Sequence, residues 1–164
     1  HAPDPCAMGF GRQWFPLTMR DPHEYWRGVV DARPALEAFL DAELERHALG
    51  ESALALVGFS QGTMMALHAG PRREAPLAAI VGYSGHLAGA ENLMREVRSR
   101  PPVMLVHGEG DEVIPVRAIQ LATGALAQAG IPVEWHVRPS LAHGIDAEGL
   151  RLGADFLRRA FAES

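Results

Sequence analysis

The chain alternates short apolar segments with longer segments of helical periodicity, and this alternation constrains its fold more than any other feature. Four apolar runs have the length and composition of strands, at residues 53–59, 78–83, 103–107 and 133–138. The first three are almost continuously apolar, which is typical of buried parallel strands. The fourth, VEWHVR, alternates polar and apolar residues and predicts a strand nearer an edge.

Segments of helical pattern lie between and around these runs, at residues 27–49, 61–70, 92–98, 115–129 and 146–162. Pro34 lies inside the first of them and predicts a kink or two abutting helices. The N-terminal 1–22 stretch, rich in Pro, Gly and aromatic side chains, predicts an ordered loop. Together the segments predict one α/β domain with a mainly parallel sheet flanked by helices.

Composition excludes several classes of function. All 15 basic residues are arginines, so a P-loop lysine and a Schiff-base lysine are excluded within this chain. The net charge of −5 argues against nucleic-acid binding, and no apolar run approaches the length of a membrane span. Cys6, the single cysteine, permits no internal disulfide, and no HExxH or other spaced metal-ligand pattern occurs, so no metal site is expected.

A serine follows the first predicted strand in a motif that suits nucleophilic catalysis. Residues 58–62, GFSQG, join an apolar strand to a helix and match the pattern G-x-S-x-G. The sharp turn needs small flanking residues, lifts the hydroxyl above the sheet and points the helix N-terminus at developing negative charge. We therefore predict that Ser60 is a nucleophile. An incidental serine in a glycine-rich connection is the alternative.

A serine nucleophile needs a base and an acid, and both are expected just after strands, because chemistry gathers at the carboxyl ends of parallel strands. Three carboxylates follow residues 103–107, namely Glu109, Asp111 and Glu112. We choose Asp111, which precedes the apolar start of the next helix, and keep the other two as alternatives. His143 follows the fourth strand. The order Ser60, Asp111, His143 is that of α/β hydrolases.

Other residues near these strand ends have weaker claims. His107 ends the third strand, where we expect it to form hydrogen bonds that shape the turn of Asp111. His86 follows the second strand and is a candidate to face the site. Met64 and Met65, on the helix after Ser60, either line an apolar channel or pack in the core beneath that helix.

Four segments together resemble the phospholipase/carboxylesterase family of α/β hydrolases, which includes the acyl-protein thioesterases. They are GRQWFPL, GFSQG, LVHGEGDEVIPV and LAHGID, and the resemblance covers almost the whole chain. It implies an α/β-hydrolase fold with Ser60 as nucleophile, His143 as base and Asp111 as its partner. It also implies that the backbone N–H of Gln61 forms half of the oxyanion hole.

The resemblance further implies a substrate and a pocket. Trp14 and Phe15 are expected in the wall of the acyl pocket, joined by residues near Ile114. Members of the family hydrolyse carboxylic esters or thioesters of small and acyl substrates, usually in the cytoplasm, and need neither a metal nor an organic cofactor. The same three residues would also permit acyl transfer to an acceptor other than water, and a non-catalytic binding module of this fold is a further alternative.

One departure from the family concerns the start of the chain. The family has strands and a glycine-containing loop before the point that corresponds to His1, and that loop supplies the second oxyanion N–H. We therefore expect residues 1–164 to be the C-terminal portion of a single α/β-hydrolase domain, completed by a further segment or a second chain. We also expect an uncovered apolar edge on the strand at residues 53–59.

Overall fold

In a computed structural model the chain forms a four-stranded sheet with helices on both faces. The structure describes residues 1–6, 11–18, 21 and 23–162. The sheet strands are β3 (Ala55–Phe59), β4 (Ala79–Tyr83), β5 (Val103–Gly108) and β6 (Val133–Arg138), all parallel and in the order β3-β4-β5-β6. This confirms the predicted fold class, and β6 lies at an edge as its alternating pattern predicts.

The helices are α1 (Glu24–His47), α2 (Gln61–Ala69), α3 (Ala90–Glu96), α4 (Arg117–Gln128) and α5 (Ala147–Ala162). Short 3₁₀ turns occur at Glu51–Ala53 and Gly70–Arg72. No helix among the described residues has the length and apolarity to cross a membrane.

Helix α1 is a single helix that continues through Pro34, so the alternative of two abutting helices is wrong. Its buried residues Val29, Leu36 and Leu40 pack in one cluster with Met64 and Met65 of α2. Pro34 has no backbone N–H, so the helix lacks one hydrogen bond there. The burial of its apolar face offsets this loss.

The N-terminal stretch is more regular than the predicted loop. Strands β1 (Asp4–Pro5) and β2 (Arg12–Gln13) pair antiparallel in a small separate sheet. The prediction also covers residues 7–10, 19–20 and 22, which lie outside the described residues.

Strand β3 differs from its predicted burial. Its apolar run is typical of a buried strand, but β3 is an end strand of the sheet, and the Val57 side chain is 60% exposed. An apolar sequence indicates that a strand can be buried. It does not indicate whether the strand lies in the middle or at the end of the sheet, because that position depends on the other strands. Among the described residues only β4 pairs with β3, and the expectation of an uncovered edge on this strand stays a prediction.

Candidate active site

The turn from β3 into α2 holds Ser60 in a conformation that side chains rarely adopt. Ser60 has φ 54° and ψ −116°, and its N–H donates to the Tyr83 carbonyl at 2.9 Å. Gly58 makes the turn possible, since a Cβ there would lie 2.3 Å from the Gly62 carbonyl carbon and 2.4 Å from the Thr63 nitrogen. The result is a serine hydroxyl presented at the carboxyl edge of the sheet, directly before the first turn of α2.

Asp111 lies in a tight turn after β5, and its side chain is fully buried. Its Oδ1 accepts hydrogen bonds from the N–H groups of Val113 at 2.9 Å and Ile114 at 2.8 Å. Burial raises the pKa of the Asp111 carboxyl, but the hydrogen bonds from Ile114, His143 and Val113 outweigh it and hold the pKa below its ordinary value. Asp111 is therefore a carboxylate at neutral pH.

His107 closes the turn of Asp111, which confirms its predicted structural role. Its Nε2 lies 2.8 Å from the Ile114 carbonyl oxygen and donates to it, and its side chain is buried. The same nitrogen lies 3.4 Å from Asp111 Oδ2. By contrast, Glu109 and Glu112 are exposed to solvent.

The loop between β6 and α5 presents His143 and is tied to the sheet at several points. The Gly110 N–H donates to the Leu141 carbonyl at 3.0 Å, and the Ser84 hydroxyl donates to the Gly144 carbonyl at 3.1 Å. At the end of the loop the Asp146 carboxylate bonds Arg138 and the Gly149 N–H, and the latter bond caps α5. These contacts fix the backbone on both sides of the imidazole.

Ser60, His143 and Asp111 form a continuous row of hydrogen bonds. His143 Nδ1 lies 2.8 Å from Asp111 Oδ2, and His143 Nε2 lies 3.1 Å from Ser60 Oγ. A carboxylate beside Nδ1 favours the tautomer that carries a proton there, which leaves Nε2 free to accept the serine proton. The arrangement has the geometry of an activated nucleophile with an oriented base.

A cavity of about 640 Å³ opens on Ser60. Its walls come from the turn before α2, including Phe59 and Gln61, and from the N-terminal stretch, including Arg12 and Trp14. The Gln61 side chain joins these two walls, because its Oε1 accepts from the Trp14 N–H and its Nε2 donates to the Phe15 carbonyl, both at 2.9 Å.

The residues predicted to contact substrate have different surroundings. Trp14 lines the cavity at Ser60. Phe15, Met64 and Ile114 have buried side chains in the core cluster between α1 and α2. His86 contacts the Tyr25 ring, with ring centroids 5.4 Å apart, and lines a different cavity of about 380 Å³. Their roles in substrate binding stay predictions.

Two features of the site are not apparent in the sequence. The Phe59 ring lies against the His143 imidazole, with ring centroids 5.0 Å apart. Phe59 occupies a variable position of the motif, so the pattern carries no signal for this contact. Ser84 anchors the His143 loop from a backbone with φ 45°, and only its place after a strand connects it with the site.

Within the part of the chain that the structure describes, no three His, Cys, Asp or Glu side chains are grouped so as to hold a metal ion.

The chain is similar to known proteins over most of its length. The model of the phospholipase/carboxylesterase family matches residues 1–161. Esterase YpfH of Escherichia coli is 26% identical, with 94% of this chain and 66% of its own length covered. Acyl-protein thioesterase 1 of Gibberella zeae is 32% identical, with 97% of this chain and 74% of its own length covered.

Among solved structures, the crystal structure of esterase PE8 superposes with a TM-score of 0.93 at 39% identity. That match covers 97% of this chain and 75% of esterase PE8. The chain therefore spans about two thirds to three quarters of the length of these relatives. The expectation that it is the C-terminal portion of a domain stays a prediction.

Proposed function

The chain belongs to the phospholipase/carboxylesterase family of α/β hydrolases, and on this premise we propose that it hydrolyses carboxylic esters or thioesters by two-step acyl transfer to water. The observation that carries the proposal is the row of hydrogen bonds from Ser60 through His143 to Asp111. The similarity to proteins named esterase and acyl-protein thioesterase supports the substrate class.

In the first step His143 Nε2 takes the proton of Ser60 as Oγ attacks the carbonyl carbon of the substrate. Asp111 holds the Nδ1–H tautomer and stabilises the imidazolium that forms. Because the pKa of Asp111 is low, the carboxylate keeps its charge throughout. His143 then gives the proton to the departing alcohol or thiol, and an acyl-enzyme on Ser60 remains.

In the second step water replaces the leaving group, and His143 removes its proton as it attacks the acyl carbon. The Ser60 oxygen departs, takes the proton back from His143 and releases the acid. We assign the backbone N–H of Gln61, the first residue of α2, to the negative charge that develops on the carbonyl oxygen. The N-terminal end of a helix dipole favours that charge.

A cytoplasmic location stays a prediction of the family resemblance.

The test is esterase activity of the purified chain and of Ser60→Ala. We expect p-nitrophenyl and thioester substrates to be hydrolysed by the wild type, and Ser60→Ala to lower kcat by about 10³-fold or more with an unchanged fold. Ser52→Ala, which changes an exposed serine of a 3₁₀ turn, serves as the matched control.

A fluorophosphonate probe gives a second measurement, since it labels an activated serine covalently. Labelling of the wild type at Ser60, confirmed by peptide mass, supports the nucleophile. A folded wild type that neither reacts with the probe nor hydrolyses an ester would overturn the proposal in favour of a binding module. Added alcohol that captures the acyl group in preference to water would instead indicate an acyltransferase.

A further inference from the structure

One cation lies in the wall of the cavity that opens on Ser60. Among the described residues that line this cavity, Arg12 is the only one with a charged side chain. The other walls are apolar or neutral and include Trp14, Phe59 and Gln61. A substrate bound for attack by Ser60 therefore shares its cavity with one guanidinium and with no carboxylate of those lining residues.

The charge of Arg12 is held in place without being neutralised. Its Nε and Nη2 donate to the backbone carbonyl oxygens of Ala2 and Pro3, and no described carboxylate forms an ion pair with it. Carbonyl oxygens orient a guanidinium but carry no charge that cancels its own, so the positive charge of Arg12 stays uncompensated at the exposed wall of the cavity. Most other arginines of the described chain pair with Asp or Glu, as Arg73 does with Asp41 and Glu51.

We propose that Arg12 gives this site a preference for esters that carry an anionic group, a carboxylate or a phosphate, close to the scissile carbonyl. The inference rests on the proposed ester hydrolysis and adds the substrate class. Guanidinium groups bind carboxylate and phosphate oxygens through paired N–H donors. The whole chain has a net charge of −5, so its general field repels anions, and a preference for them must come from a local cation.

The first experiment compares anionic esters with neutral esters of matched shape. The mono-p-nitrophenyl ester of glutarate against p-nitrophenyl pentanoate tests an anion on the acyl side. Acetoxybenzoate against tolyl acetate tests an anion on the leaving group, with each rate divided by that of hydroxide hydrolysis. We expect a higher corrected kcat/KM for the anionic member of at least one pair, and that pair identifies the side.

Arg12→Gln should lower this anionic-to-neutral ratio by about fivefold, and Arg12→Glu should lower it further. Arg158→Gln removes the same charge from an exposed position of α5 and should leave the ratio unchanged. Added salt should reduce the ratio in the wild type more than in Arg12→Gln, because it screens an exposed charge.

The second experiment measures the local potential without ester hydrolysis. Cys6 is the only cysteine of the chain and lines the same cavity, so its reaction with charged methanethiosulfonates reports the field there. The rate with the anionic sulfonatoethyl reagent, divided by the rate with the cationic trimethylammonioethyl reagent, should fall about fivefold in Arg12→Gln. Arg158→Gln should not change it.

The two experiments separate the possible failures. Hydrolysis of neutral esters with an anionic-to-neutral ratio that Arg12→Gln leaves unchanged overturns the role of Arg12 and leaves the proposed function intact. If Arg12→Gln leaves the ratio of the two reagent rates at Cys6 unchanged, Arg12 does not create a positive potential in the cavity. If no ester of either kind is hydrolysed, the substrate preference falls together with the proposed function.

Discussion

Ser60 has a strained backbone, and the two glycines of its motif differ in how closely other atoms approach them. A non-glycine residue with φ 54° and ψ −116° costs about 1–3 kcal/mol, which the surrounding hydrogen bonds must offset. Gly58 is in contact with the backbone of residues 62 and 63, whereas nothing lies within 4 Å of a Cβ built on Gly62. The sequence pattern treats the two glycines alike, but the structure separates them.

Gly58→Ala should therefore destabilise the fold by about 2–4 kcal/mol, because its methyl group would meet backbone atoms that cannot move without opening the turn. Gly62→Ala should leave stability unchanged or raise it by about 1 kcal/mol, since alanine is the better helix former. Urea unfolding of both variants measures the difference. Equal losses would show that the close backbone contact at Gly58 does not set the stability of this turn.

The sequence predicts the hydrogen-bonded row of Ser60, His143 and Asp111 better than it predicts the cavity. Ser60, Asp111 and His143 each follow a strand, and parallel strands bring their carboxyl ends to one edge, so the topology is enough to group them. Walls of a cavity depend instead on tertiary contacts between distant segments. The bonds from the Gln61 side chain to Trp14 and Phe15 join residues that no pattern connects.

Helix α2 buries a histidine that has no role in the proposed mechanism. His68 is 2% exposed, its Nδ1 has no hydrogen-bond partner among the described residues, and its ring lies edge-on to Trp26 with centroids 5.4 Å apart. Burial, together with the nearby charges of Arg72 and Arg33, lowers the pKa of His68 to about 3. The folded protein therefore holds this imidazole neutral.

This burial makes the stability of the fold depend on pH. The folded-state pKa of His68 lies below the unfolded value of 6.5, so the unfolded chain binds one more proton between these values. The stability is full above pH 6.5 and is lost as the pH falls toward the folded-state pKa, by about 2 kcal/mol between pH 7 and pH 5. His68→Leu should remove that part of the loss.

Urea unfolding at the two pH values tests this prediction. His47→Gln, which removes an imidazole with 57% exposure at the end of α1, is the control and should keep the wild-type loss. If His68→Leu loses as much stability on acidification as the wild type does, the buried histidine is not the source.

The predicted elements differ from the observed ones where tertiary packing decides. Strand positions agree within one or two residues, because buried parallel strands leave continuous apolar runs. Helix α1 continues through Pro34 because its apolar face is buried on α2, which a local rule for proline does not include. Strands β1 and β2 contain two residues each, too few for any periodicity to indicate them.

The two ends of the sheet are covered unevenly. Helix α5 packs against β4 and β5 with Phe156 in their shared cluster, while the end strand β3 leaves the Val57 side chain 60% exposed. An end strand with exposed apolar side chains and unpaired backbone groups is a template for association with another chain. The isolated 164-residue chain should therefore self-associate as its concentration rises.

Val57→Lys should weaken this self-association constant by about tenfold or more, because it removes apolar area from the contact and places like charges opposite each other. Val113→Lys is the matched control, since Val113 is 57% exposed but lies in the turn after β5 and not on the end strand. Sedimentation velocity over a range of concentrations measures both variants. Equal weakening by Val57→Lys and Val113→Lys would assign the association to general surface hydrophobicity. A wild-type chain that stays monomeric would show that the edge of β3 does not pair.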